Sequence, residues 1–189
     1  MFTGIITHTG KVTKFDFSNN KVYIENKFND LNVGTSVSVD GVCLTVSDYD
    51  VQSMIFEVSE ETLKSSIIKN YKKNTLVNLE LPVTTEALLS GHIVLGHVDN
   101  IGTVKKIEIV KKNLWNFYFS VSDSTYLIDK GSVAINGISL TTNLVSTNVF
   151  YVSIIAETFY NTNLCKKIEH SDVNIEYDII GKYVHKFSS

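Results

Sequence analysis

Cys43 and Thr45 share one side of a short alternating run, VDGVCLTV, and Ser139 and Thr141 hold the same places in INGISLTT, 96 positions further on. Ser36 and Ser132 repeat at that offset too. These neutral groups both donate and accept hydrogen bonds. A barrel mouth lined with them would suit a flat, uncharged heterocycle better than a phosphate or a metal ion. A threonine on a strand is by default only a good strand former. The copying of the hydroxyls is what argues for two related pockets.

Other chemistries find no support. There is no G-x-G-x-x-G, Walker loop, H-E-x-x-H or G-x-S-x-G in the chain. His92 and His97, in GHIVLGHV, lack cysteine or carboxylate partners at ligand spacing, so no metal is expected. A net charge of -3 and scattered lysine pairs give no basic face for nucleic acid. The opening MFTGIITHTGKV shows no signal-peptide pattern, and no apolar run is long enough to span a membrane. With only Cys43 and Cys165 and no C-x-x-C, a disulfide framework is not expected and a reducing cytoplasm fits.

The copied residues must be carried by copied elements. At the 96-residue offset Glu61-Thr62 meets Glu157-Thr158, and VNLE from Val77 meets VNIE from Val173. Near the front the offset is 92, setting Gly4 over Gly96 and Gly10 over Gly102. The four-residue difference falls in polar, loop-like segments, as a duplication allows. Two halves follow, about 1–85 and 93–180, joined by LPVTTEALLSG. Each alternates with a period near two, in β-branched and aromatic runs punctuated by Asp40-Gly41 and similar turns. About six strands and one short helix, over Glu60–Tyr71 and again over Glu157–Ile168, predict a small closed barrel in each half. Ile179, Ile180, Tyr183, Val184 and Phe187 then fall at helical spacing, an amphipathic tail that could pack on its own barrel or on copies of itself.

MFTGII, DGVCLTV, ETL, SGHIVLGHVDNIG, KGSVAINGISLT and YDIIGKYVHK together resemble the riboflavin synthase family, over essentially the whole chain. The resemblance implies an all-β fold of two tandem six-stranded Greek-key barrels, 1–88 and 89–178, with short helices and a C-terminal trimerisation helix, 179–189. It also implies a cofactor-free transferase in a homotrimer, each site taking two molecules of 6,7-dimethyl-8-ribityllumazine. One donates a four-carbon unit to the other, giving riboflavin and 5-amino-6-ribitylamino-2,4-pyrimidinedione. The family further admits association with lumazine synthase. A non-catalytic lumazine or flavin carrier of the same fold is the alternative.

Carried over residue by residue, the resemblance gives substrate-binding positions Gly4, Ile5, Ile6, Ser36, Cys43, Leu44, Thr45, Glu57, Val58, Ser59, Glu60, Glu61 and Thr62 for the first barrel. For the second it gives Gly96, His97, Val98, Lys130, Ser139, Leu140, Thr141, Ile155, Ala156, Glu157, Thr158, Phe159 and Tyr160. The family's usual pattern is altered at Ser59 (SEETL), Ser90 (SGH), Pro82 (LELP) and Ala156, positions that bear on backbone rigidity more than on polar groups. Positions alike in both halves suit holding the substrate; unlike ones must tell donor from acceptor. His97 against Ile5, Cys43 against Ser139 and Asp178 against Pro82 are therefore the expected catalytic group, with the histidine suited to moving protons near neutral pH.

Overall fold

The computed structural model describes residues 1–188, without the side chain of Val145. In the first half β1 (His8–Asp16), β2 (Lys21–Glu25), β3 (Ser36–Val39), β4 (Val42–Tyr49), β5 (Ser53–Glu57) and β6 (Leu76–Glu80) close into an antiparallel barrel of order β1-β2-β5-β4-β3-β6. Alternation decides which side chains enter it. On β2, Val22 and Ile24 are fully buried while Lys21, Tyr23 and Glu25 are not. Asp40 and Gly41, at φ 47° and 75°, make the two-residue left-handed turn between β3 and β4.

The second half repeats the plan with β7 (Asn100–Lys111), β8 (Leu114–Ser120), β9 (Ser132–Ile135), β10 (Ile138–Thr141), β11 (Asn143–Ser146), β12 (Val149–Ile155) and β13 (Asp172–Tyr177). Its sheet runs β10-β9-β13-β7-β8-β12-β11, so the two edge strands are pieces of one run that is continuous as β4 in the first half. The break falls at Thr142, where the first half has Val46. The buried Thr142 hydroxyl donates to the Ile128 carbonyl at 2.6 Å, while its N–H donates to Gly131 O at 2.9 Å as Val46 N–H does to Thr35 O. The second half is a seven-stranded sheet whose two edge strands run on from one another, where a six-stranded closed barrel was expected.

The expected single helix of each half is likewise in two pieces. Helix α1 (Glu60–Ser65) gives way to a 3-10 turn at Ile67–Asn70, and α2 (Ala156–Asn161) to one at Asn163–Lys166. Ser66 and Thr162, both extended, stand at the breaks, where their hydroxyls accept from the turns' N–H groups. The backbone just beyond each break binds the other half. Ile67 N–H donates to Asn174 Oδ1 at 2.8 Å, and Asn163 N–H donates to Asn78 Oδ1 at 2.7 Å.

Each half has its own apolar core, and a buried polar cluster joins them. The two turns meet back to back: a Cβ on Gly41 would lie 2.6 Å from Gly137 N. Beside them the Asp40 carboxylate accepts from Asn78 N–H (2.7 Å), Asn163 Nδ2 (2.8 Å) and the Tyr71 hydroxyl (2.8 Å). Burial pushes the Asp40 carboxyl up to about 6, although Lys167 and these donors pull the other way. Because the folded value lies above the unfolded one, the native state takes up the proton more readily. Asp40 therefore opposes folding at neutral pH and stops doing so as pH falls from about 6 towards 4. Asp40→Asn, which copies Asn136 of the other turn, should remove this dependence. Paired urea unfolding curves should show the wild type gaining on the variant by about 2 kcal/mol between pH 7 and pH 4.

The C-terminal helix α3 (Ile179–Ser188) turns its apolar stripe outward: Ile180, Tyr183, Val184 and Phe187 are each more than half exposed. Ser189, the last residue of the expected helix, lies outside the described residues. No helix among those residues is long and apolar enough to cross a membrane.

Candidate active site

Two cavities lie at equivalent places in the halves, and neither belongs to one half alone. A 320 Å³ cavity is lined by Val42, Cys43, Glu61, Thr62, Ser65 and Ser66 of the first half with Gly96, His97 and Val98 of the second. A 530 Å³ cavity is lined by Ile138, Ser139, Glu157, Thr158, Tyr160, Asn161 and Thr162 with the first half's segment from Gly4 to Thr9. The leading arms of the two halves have changed places. This corrects the grouping expected from sequence, which set Gly4, Ile5 and Ile6 with Cys43, and His97 with Ser139.

Backbone geometry fixes the exchange. Phe2 and Val94 pair as an antiparallel bridge, which sends the arms past each other. Each arm then adds to the outer side of a strand: Ser139 N–H donates to Gly4 O at 2.8 Å, and Cys43 N–H to Gly96 O at 2.9 Å. Both glycines need to be glycine. Their φ values are 77° and 79°, and a Cβ on either would stand 2.6 Å from the Cβ of Ser139 or Cys43.

Cys43 lies between Val42 and Leu44, which are buried in the first core, and so faces away from the barrel interior. The cavity lies against the outer wall of β4 rather than in the barrel mouth expected from sequence. Leu44 is core, and Leu140 packs on the second core. Thr45 and Thr141 are exposed further along the strands, Thr45 opposite Ser36 on β3, and neither cavity includes them.

Several other expected positions do structural work. Glu57 is exposed and ion-paired with Lys21 at 3.0 Å, Val58 is core, and Ser59 caps α1 by accepting from Thr62 N–H. Glu60 is paired on the surface with Lys64. Ile155 is exposed ahead of Ala156, the first residue of α2, and Phe159 stacks on Trp115 at 4.1 Å. Exposed Lys130 donates to Asn143. Asp178 accepts from Ile180 N–H at 3.0 Å, capping α3, and lines a different cavity beneath that helix.

His92, which sequence reasoning set aside, is the residue the structure adds. Its ring is buried, and Nδ1 lies 2.7 Å from Ser139 Oγ. Burial holds the imidazole below its usual value, against the weaker pull of Asp178, so it is neutral near pH 7. Among the described residues Nε2 has no hydrogen-bond partner. A neutral imidazole sharing a proton with a serine at a cavity wall can relay that proton. The other cavity has Cys43 at the serine's place and His97 across from it, so the two are alike in Thr62 and Thr158 and unlike in their proton-handling groups.

Known proteins give this geometry its setting. The lumazine binding domain matches residues 3–82 and again 95–178. Riboflavin synthase of Actinobacillus pleuropneumoniae is 37% identical over 192 residues, covering 99% of this chain and 89% of that one. That of Bacillus subtilis (strain 168) is 33% identical over 193 residues, with the same coverages of 99% and 89%. In fold, the chain matches the crystal structure of LumP complexed with riboflavin at a TM-score of 0.84 and 21% identity, covering 94% of this chain and 99% of that one. Both halves carry the domain and the identity runs the length of the molecule, so the chain belongs to the riboflavin synthase family.

Proposed function

We propose that the protein is a riboflavin synthase, joining two molecules of 6,7-dimethyl-8-ribityllumazine and passing a four-carbon unit from one to the other. Products and reactants balance without an oxidant or reductant, since one lumazine gains what the other loses. The observation that carries this reading is the pair of like-built, unlike-equipped cavities. Thr62 and Thr158, with Glu61 and Glu157, line both in the same way and suit holding the same molecule twice. Ser139 with His92 in one, and Cys43 with His97 in the other, give the two molecules different chemical surroundings.

The chemistry asks little of a base. Loss of a proton from the 7-methyl group leaves an anion spread over the heterocycle, and the Ser139–His92 pair is placed to accept that proton and return it later. Holding two rings face to face supplies much of the remaining acceleration, up to about 7–11 kcal/mol in favourable intramolecular cases. The facing partner would come from a neighbouring chain, the first cavity of one copy against the second of the next. The apolar stripe of α3 supports such an assembly, and a trimer built through these helices would cover it.

Purified protein given the lumazine alone, with a chelator present, should form riboflavin, consuming two lumazines for each flavin. Tight binding with no flavin formed would move the reading to a carrier. Cys43→Ser writes into the first cavity the residue the second already has. It should keep turnover within about tenfold of wild type, about 1.4 kcal/mol in barrier, measured by steady-state flavin formation. A larger loss would give the thiol a role of its own.

A further inference from the structure

Two carboxylates outside both cavities hold the exchanged arms. Glu80, the last residue of β6, accepts from Thr3 N–H (2.7 Å), the Thr3 hydroxyl (2.7 Å) and Gly4 N–H (3.1 Å). Glu176, its copy on β13, accepts from Leu95 N–H (2.6 Å), Gly96 N–H (2.8 Å) and His97 N–H (3.0 Å). Both residues are more than nine-tenths buried. A buried carboxylate needs such donors, and bonds to an ionised acceptor are about twice as strong as neutral ones. Each glutamate therefore grips the arm of its own half at the point where that arm crosses to the other half's cavity.

We propose that Glu80 and Glu176 are positioning residues, each setting the cavity of the opposite half by fixing the arm that walls it. Glu80 governs the Ser139 cavity, because Gly4, whose N–H it binds, carries the carbonyl that receives Ser139 N–H. Glu176 governs the Cys43 cavity in the same way through Gly96. Control thus runs crosswise: the residue lies on one half and its effect on the other. This rests on the cavities being the lumazine sites.

Glutamine keeps the size and one acceptor but turns an NH₂ towards N–H donors. The test titrates Glu80→Gln and Glu176→Gln with 6,7-dimethyl-8-ribityllumazine carrying ¹³C in its methyl groups, so that the two bound molecules give separate NMR signals. Ser139→Ala and Cys43→Ser assign those signals to their cavities. Glu80→Gln should weaken the Ser139 cavity by about tenfold and leave the Cys43 cavity within about twofold, and Glu176→Gln should do the reverse. Amide exchange should quicken at Thr3 and Gly4 in the first variant and at residues 95–97 in the second. Should Glu80→Gln fail to fold, Thr3→Val leaves the carboxylate and its two N–H bonds in place, removes the hydroxyl's bonds to Glu80 and from Ile5 N–H, and should still weaken the Ser139 cavity alone. Equal weakening of both cavities, or none, overturns the proposal while leaving the function intact. Wild-type protein that binds no lumazine overturns both.

Discussion

Gly96→Ala should reduce turnover by more than about a hundredfold and cut bound lumazine from two molecules per chain to one. The added methyl would stand 2.6 Å from Cys43 Cβ and 2.7 Å from Cys43 N, where no real Cβ sits. Backbone cannot yield as a flexible side chain would. The left-handed φ of 79° adds about 1–2 kcal/mol of its own for a residue with a Cβ. The arm must then leave the strand, breaking the Cys43 N–H to Gly96 O bond and opening the first cavity. The fully buried residues of both cores are carried by the strands and helical turns and not by the arm, so the sheets should persist in the circular dichroism spectrum while binding is halved. Gly4→Ala should do the same to the Ser139 cavity.

The second large effect is expected at the residue that resisted sequence analysis. His92→Ala should lower kcat by about a hundredfold, the low end of what general acid–base catalysis contributes, with lumazine affinity little changed. The loss should be partial, because orientation of the rings does not depend on the imidazole. The pH profile carries a sign that can be worked out. As a base His92 acts in its neutral form, and burial sets its value below the ordinary 6.5, so the wild-type rate should hold through pH 6.5 and fall only at lower pH. His92→Ala should lose that acidic limb. Ser139→Ala should lower kcat comparably, since it removes the group through which His92 reaches the cavity. Unchanged kcat in both variants would leave ring orientation as the main source of rate.

What the sequence made legible follows from what repeats in it. Alternation marked the strands, the Asp40-Gly41 pair marked one of the two turns that meet back to back, and the matched Cys43 and Ser139 marked both cavities. The exchange of arms was hidden for the same reason. Gly4 and Gly96 occupy equivalent places, and an alignment of the halves reads identically whichever strand each arm lies against. Features involving one copy or one long-range contact were also out of reach. His92 meets Ser139 across 47 positions, and the Thr142 hydroxyl reaches back to the Ile128 carbonyl. Asp178 is a different case: an aspartate just ahead of an amphipathic run is an ordinary helix cap, and that signal was available.

The central claim is that one reaction draws on both cavities, each supplied by a different copy of the chain. Two damaged proteins test it directly: Gly96→Ala, spoiled in the first cavity, and Gly4→Ala, spoiled in the second. Unfolded together in equal amounts and refolded, they should recover about a quarter of wild-type activity, from those junctions where two intact cavities meet. Recovery no greater than the sum of the two variants measured apart would contradict the account.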